Sequence, residues 1–275
     1  MVRFGSRRKR RQQKQVNSIQ FTTSIRLRRR LSLGTAGLLC LTTCQTFAQA
    51  KAEEKKGWET SAFVGATLTR GNSDSFIGNL TLDTKRKWEK DDVAFGASAG
   101  YGESTVDNST TKSAQYARGY GQYNRLFTER FYGGLRLDGE YDDIAGVDYR
   151  VRISPLAGYY FIKQTKTTLS GEIGPSMVFE KLKSESAQSY LGFRAGERFE
   201  HKLTDTTRIW QNFEYIPKVE DWSENYLLNG EAGIDAAISK KTSLSLVFQD
   251  NFNSQPASGR KQNDVRMIAG LRYKF

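Results

Sequence analysis

From about residue 57 to the C-terminus, apolar and polar side chains alternate with a period of two, and polar or glycine-bearing turns interrupt the alternation every ten to sixteen residues. In the last segment Val265, Met267, Ala269, Leu271, Tyr273 and Phe275 share one face, while Arg266, Ile268, Gly270, Arg272 and Lys274 share the other. One face suits hydrocarbon, and the other suits water or ion pairs. The same two-faced pattern recurs with Trp58, Ala62, Val64, Ala66 and Leu68, with Tyr149, Val151, Ile153, Ala157, Tyr159 and Phe161, and with Leu228, Ala232, Ile234, Ala236 and Ile238. It predicts twelve strands, over about 57–70, 75–88, 93–103, 113–127, 131–141, 149–161, 167–182, 189–203, 207–217, 225–238, 242–250 and 264–275.

The connections alternate as well. Residues 89–92, 128–130, 162–166, 204–206 and 239–241 form short polar turns. Between them lie 71–74, 104–112, 142–148, 183–188, 218–224 and 251–263, which are longer apart from the first. Short turns at one end and longer loops at the other are the habit of an up-and-down transmembrane barrel, and an even strand number returns both termini to one side.

A soluble β-sandwich, as in a periplasmic binding module, also shows half-buried alternation. Two features favour the barrel. Most of the strands exceed the roughly nine to eleven residues that cross a bilayer, whereas soluble strands are typically nearer five or six. Aromatic residues also gather near strand ends (Trp58, Trp88, Tyr101, Phe127, Phe131, Tyr141, Tyr149, Phe161, Trp210 and Tyr226), as an interfacial girdle requires. The fold class expected is therefore all-β, a transmembrane antiparallel barrel spanning 57–275. Pro155 and Pro175 conflict with it, because both fall in strands on the lipid-facing phase, where a lost backbone donor has no water to replace it. A bulge or a local register shift is expected there.

The inward phase is rich in charge. It collects Lys85, Lys87, Arg136, Arg150, Arg152, Arg194, Arg198, Arg266, Arg272 and Lys274 against Glu59, Asp83, Asp138, Glu140, Glu172, Glu180, Glu200, Glu214, Glu231 and Asp235, ten of each sign. A lumen of this strand number is modest in width, so opposite charges fall within pairing distance. They either fill and rigidify the barrel or line a narrow channel, and their balance argues against strong ion selectivity.

Whole-chain composition at first points elsewhere. The formal charge is +12, from 42 basic and 30 acidic residues, which would fit a nucleic-acid partner. Yet eleven of the basic residues, both cysteines and no acid lie in residues 1–50, leaving 31 basic against 30 acidic side chains beyond. That first segment has the form of a secretory signal peptide: a cationic stretch ending Arg28-Arg29-Arg30, an apolar core from Leu31 to Leu41, and Ala48-Gln49-Ala50 ahead of a predicted cleavage after Ala50. Residues 51–56 then form a short periplasmic segment. The core is too short to span a membrane as a helix, and Leu39 and Thr43 sit where lipid attachment at Cys40 or Cys44 would want a small residue. The chain is expected to be exported through the secretion translocon to the outer membrane of a Gram-negative cell. There it would meet lipid as a monomer, with no nucleic-acid partner.

Candidate chemistry is sparse. Without cysteine beyond residue 50, there is no Cys-ligated zinc site or cysteine nucleophile. A lipid-modifying enzyme would need a histidine beside a serine or carboxylate, and His201 is the sole candidate. It lies at the short-turn end of its strand, so no catalytic residue is assigned. Glu140, Asp142, Asp143 and Asp148 offer oxygen ligands, but their spacing matches no defined calcium loop, and a solvated acidic loop is expected. No phosphate-cradling loop is present, and no cofactor is implied.

Several motifs together carry a family resemblance. Gly57-Trp58 opens a strand, Thr69-Arg70-Gly71-Asn72-Ser73-Asp74 forms its turn, and Asp83-Thr84-Lys85-Arg86-Lys87-Trp88 ends the next strand. With Tyr149-Arg150-Val151, Gly158-Tyr159-Tyr160 and Tyr273-Lys274-Phe275, the chain resembles the YdiY-like family of salt-induced outer-membrane proteins, whose function is unknown. The resemblance implies an outer-membrane barrel and a link to osmotic or salt stress, and transfers no catalytic or ligand residue. The ending on Leu271, Tyr273 and Phe275 likewise resembles the signal by which outer-membrane barrels are recognised by their assembly machinery.

Overall fold

The computed structural model describes residues 57–69, 74–107 and 109–275; the leader, its expected cleavage site and segment 51–56 lie outside them. Twelve antiparallel strands follow in chain order: β1 (Glu59–Thr69), β2 (Asp74–Lys87), β3 (Asp91–Val106), β4 (Ser109–Leu126), β5 (Phe131–Asp142), β6 (Val147–Lys163), β7 (Thr167–Leu182), β8 (Gln188–Lys202), β9 (Thr207–Pro217), β10 (Tyr226–Ala237), β11 (Thr242–Asn253) and β12 (Asn263–Lys274). Each pairs with its neighbours in sequence, and β12 returns to β1, with Ser61 opposite Lys274 and Ala66 opposite Ala269. The sheet thus closes without an edge. Backbone donors and acceptors are satisfied within it, which an apolar surrounding demands. One closed sheet overturns the sandwich alternative.

The period-two pattern sets the faces. Leu80, Leu82, Leu135, Leu137, Leu244 and Leu246 point outward and are exposed, while Asp138, Arg150, Arg152, Glu180, Arg194, Asp235 and Arg272 point inward and are buried. A water-soluble fold would have the reverse arrangement. Trp58, Trp88, Phe127, Phe131 and Phe161 are exposed at the end that carries the short turns, with Phe127 and Phe131 in ring contact at 5.8 Å.

Four expectations are corrected. The connection placed at 104–112 is mostly strand, because β3 and β4 continue to Val106 and from Ser109 past a bulge at Gly102/Glu103. The prolines cause no register shift. Pairing of β6 with β7 is the same at Ile153–Met177 and at Ala157–Ile173, which sets Pro155 opposite Pro175. Pairing on their other sides, with Leu135 and Phe193, is unbroken. Both missing donors thus fall in one gap, bridged on the lumen side by Ser154 and Ser176, whose hydroxyls lie 2.8 Å apart. The bulges of this pair sit elsewhere, at Val147/Tyr149 and Tyr160/Ile162.

Trp210, assigned above to the girdle, faces the lumen, where Val247, Phe63 and Ile268 form a buried apolar cluster against it. Ile268 is accordingly not on a face that is polar throughout. Asp142, expected in a solvated acidic loop, ends β5 and is fully buried.

Candidate functional site in the barrel lumen

At mid-barrel, inward side chains from six consecutive strands close a ring of hydrogen bonds and ion pairs. Arg136 Nε donates to Asp138 Oδ1 at 3.0 Å, and Asp138 in turn faces Arg152 at 3.5 Å. Arg152 Nη1 reaches Glu214 Oε2 at 3.0 Å, and Arg194 Nε donates to the other oxygen of Glu214 at 2.6 Å. Arg194 Nη1 then bonds Glu172 Oε2 at 2.9 Å. Gln122 completes the circuit, its amide nitrogen donating to Glu172 at 2.7 Å and its oxygen accepting from Arg136 at 3.0 Å. The links from β4 to β7 and from β6 to β9 skip the strands between them, so they are chords through the lumen.

Three arginines and three carboxylates make this ring neutral. It is also largely buried, since the Arg152 and Arg194 side chains are only 10% and 7% exposed. Burying ions costs several kcal/mol each unless partners and further hydrogen bonds compensate, and here Tyr132 and Asn229 add donors to Glu172 and Glu214.

Other charged lumen residues, predicted and not, fall into two further groups. Towards the long-loop end, Arg118 and Arg266 both approach Asp142 Oδ2 at 3.2 Å and flank the ring of Tyr116 at 5.2 and 4.4 Å. Arg150 there joins Glu180 at 2.6 Å and Glu140 at 3.2 Å. Towards the short-turn end, Arg208 meets Asp235 at 2.8 Å, Arg272 meets Asp83 at 3.5 Å, Arg198 meets Glu200 at 3.0 Å and Lys85 meets Glu59 at 3.6 Å. Lys87 is exposed at that rim. Glu231 accepts a hydrogen bond from Gln249 at 2.9 Å.

Opposite the ion-pair ring the wall carries an apolar cluster of Phe63, Trp210, Val247 and Ile268, and its aromatic side chains lie over glycines. A β-carbon at Gly233 would come within 2.5 Å of the Trp210 indole, and one at Gly65 within 2.7 Å of the Phe63 ring. Only glycine leaves room there for an inward aromatic.

The loop from β11 to β12 narrows one mouth of the barrel. It reaches the strands across from its own, where Ala257 is buried against Val147 and Leu182. Gly146 lies beneath it with a φ of +73°, and a β-carbon there would be 2.8 Å from that of Ala257. Lys183 also grips Asp143, holding the Asp143 carboxyl below its usual range through that hydrogen bond.

A family model described as a protein of unknown function, DUF481, matches residues 62–275. The chain belongs to the DUF481 family. No curated protein matches the sequence. Among solved structures, the DUF481 barrel is similar to the NanC porin, with a TM-score of 0.50 and 7% identity over 78% of this chain and 100% of that one. It is also similar to the COG4313 outer membrane channel from Pseudomonas putida F1 (TM-score 0.47, 10% identity, 79% and 95% covered) and to the KdgM porin (0.43, 10%, 80% and 99%). At these identities the likeness concerns the fold.

Sequence reasoning left several DUF481 lumen residues unnamed. Arg118 and Arg208 stand on the charged phase of their strands, and Tyr116 and Tyr132 on the same inward phase, so a count of every inward position would have found them. His201, at the end of β8, shares a 2.8 Å hydrogen bond with Thr167 and stacks on Phe199.

Proposed function

We propose that this DUF481 protein resides in the outer membrane and acts as a narrow, weakly selective pore. The observation that carries the proposal is the neutral ring of Arg136, Asp138, Arg152, Glu214, Arg194 and Glu172 closed by Gln122. A ring of one charge would favour counter-ions, whereas a compensated ring favours neither sign. Planar-bilayer recordings test this. The expected result is small conductance steps, with a reversal potential near zero in a potassium chloride gradient. Strong selectivity would contradict the proposal, and silence over a wide salt range would leave a structural role.

That structural role is the second reading, favoured by the burial of the same ring, which braces six strands. The resemblance to YdiY-like proteins supports a place in the response to salt or osmotic stress, and a deletion strain that grows normally at high salt would remove that link. In this reading the protein is a monomer in lipid. Leu271, Tyr273 and Phe275 serve as the signal to the assembly machinery, since the strand bearing them closes the barrel against β1. Deleting Phe275 should lower the yield of barrel whose gel migration changes on boiling.

A further inference from the structure

The two ends of the barrel treat their outer charges differently. At the long-loop end three lysines meet carboxylates: Lys181 lies 3.5 Å from Asp148, Lys218 lies 3.6 Å from Glu220, and Lys183 grips Asp143. Arg260 and Lys261 stand there beside the further acids Asp107, Glu185, Asp221 and Glu224. At the short-turn end Lys90, Arg130, Lys166, Lys202, Lys240 and Lys241 are all exposed, and none forms an ion pair among the described residues. Glu89, Glu129 and Asp205 offset only part of that charge. The outward Arg86 adds to it, its guanidinium 4.9 Å above the ring of Trp88.

These cations stand at a defined depth. In each of the five short connections the cation lies within a few residues of an exposed apolar anchor: Trp88 before Lys90, Phe131 after Arg130, Phe161 before Lys166, Leu203 after Lys202, and Ile238 before Lys240 and Lys241. Such anchors mark the edge of the hydrocarbon, so the cations lie at headgroup level. A zwitterionic headgroup brings its own cation and leaves this rim uncompensated. A headgroup of net negative charge compensates it.

We infer that the short-turn rim is a docking surface for anionic phospholipid, whose phosphates spread along the five short connections. This rests on the barrel lying in a bilayer and not on whether it conducts, so it stands or falls apart from the pore.

The test uses protein isolated from membranes of the exporting cell, so that the expected cleavage removes the basic leader, and reconstituted in phosphatidylcholine vesicles. Spin-labelled phosphatidylglycerol and spin-labelled phosphatidylcholine are compared by the fraction of label whose motion the protein restricts. Phosphatidylglycerol should associate about fivefold more tightly, the gain expected from one cation beside each anionic headgroup. Replacing Lys90, Lys166, Lys202, Lys240 and Lys241 together by Gln should bring the ratio close to unity in a barrel whose heat-modifiable migration is unchanged, because these side chains are exposed in turns or at a strand end. Arg260→Gln with Lys261→Gln, at the other end, should leave the ratio as it was. Equal association of the two lipids would overturn the inference, as would a preference that survives the five replacements or falls equally with the two loop replacements. Loss of the preference in millimolar inorganic phosphate would assign a site for free anions and overturn it too.

Discussion

The two halves of the lumen fill the same space by opposite chemistry. Along β4 to β9 the wall is packed with ion pairs, Arg194 shared between Glu172 and Glu214. Along β1 and β9 to β12 it holds an apolar cluster of Phe63, Trp210, Val247 and Ile268, beside which the Arg208–Asp235–Arg272 ion pairs lie. The first half holds through partners that must all be present, since each ion is buried only because another faces it. The second holds through volume, and its glycines are the counterpart of its rings. Charge removal should therefore injure one half, and a change of size the other.

The largest expected effect is on the charged half. Arg194→Met leaves two carboxylates buried without their shared cation and should cost about 3–5 kcal/mol, read as a lower urea midpoint for loss of the folded band. If Arg194→Met unfolds at the wild-type midpoint, the two halves do not differ as described. On the apolar half, Phe63→Ala should cost about 3 kcal/mol through the void it leaves, with little dependence on salt. A strongly salt-dependent loss would assign Phe63 an electrostatic role that the geometry does not give it.

Gly233→Val sharpens the contrast from the other direction. It adds atoms where the Trp210 indole lies and should cost about 1–3 kcal/mol by overpacking, and Trp210→Leu in the same chain should restore much of it. The smallest effect belongs to the loop clamp. Asp143 is held below its usual range by Lys183, so its contribution is present above the unfolded value near 4 and fades as pH falls through the lower folded value. For so exposed a pair the effect should stay below about 1 kcal/mol. Asp143→Asn should remove the acid dependence of proteolytic nicking in the connections 143–146 and 183–187, which the pair joins, and nicking that keeps the same pH profile would dismiss the clamp.

How much of this was legible in the sequence follows from what a period of two encodes. Alternation fixes which face each residue takes, so twelve strands and the inward placement of Arg152, Arg194 and Glu214 could be read directly. It says nothing of which inward residues meet, because that depends on register between strands far apart in the chain, such as the chord from Arg152 to Glu214. Trp210 was misplaced because nearness to a strand end was weighed above its own phase. The prolines were misread because nothing in either strand announces that Pro155 and Pro175 would stand opposite each other. Ala257 sits in a loop with no periodicity, so its anchoring across the mouth left no trace in the pattern.

The account rests on a lumen narrowed from both sides, by ion pairs on one wall and an apolar aromatic cluster on the other. Single-channel conductance of the Phe63→Ala, Trp210→Ala double variant, set beside that of the unaltered protein, tests this most directly. The predicted result is a several-fold larger step with the reversal potential still near zero, because bulk is removed while the neutral ring remains. An unchanged step would contradict the account, as it would mean that the apolar wall does not limit the passage.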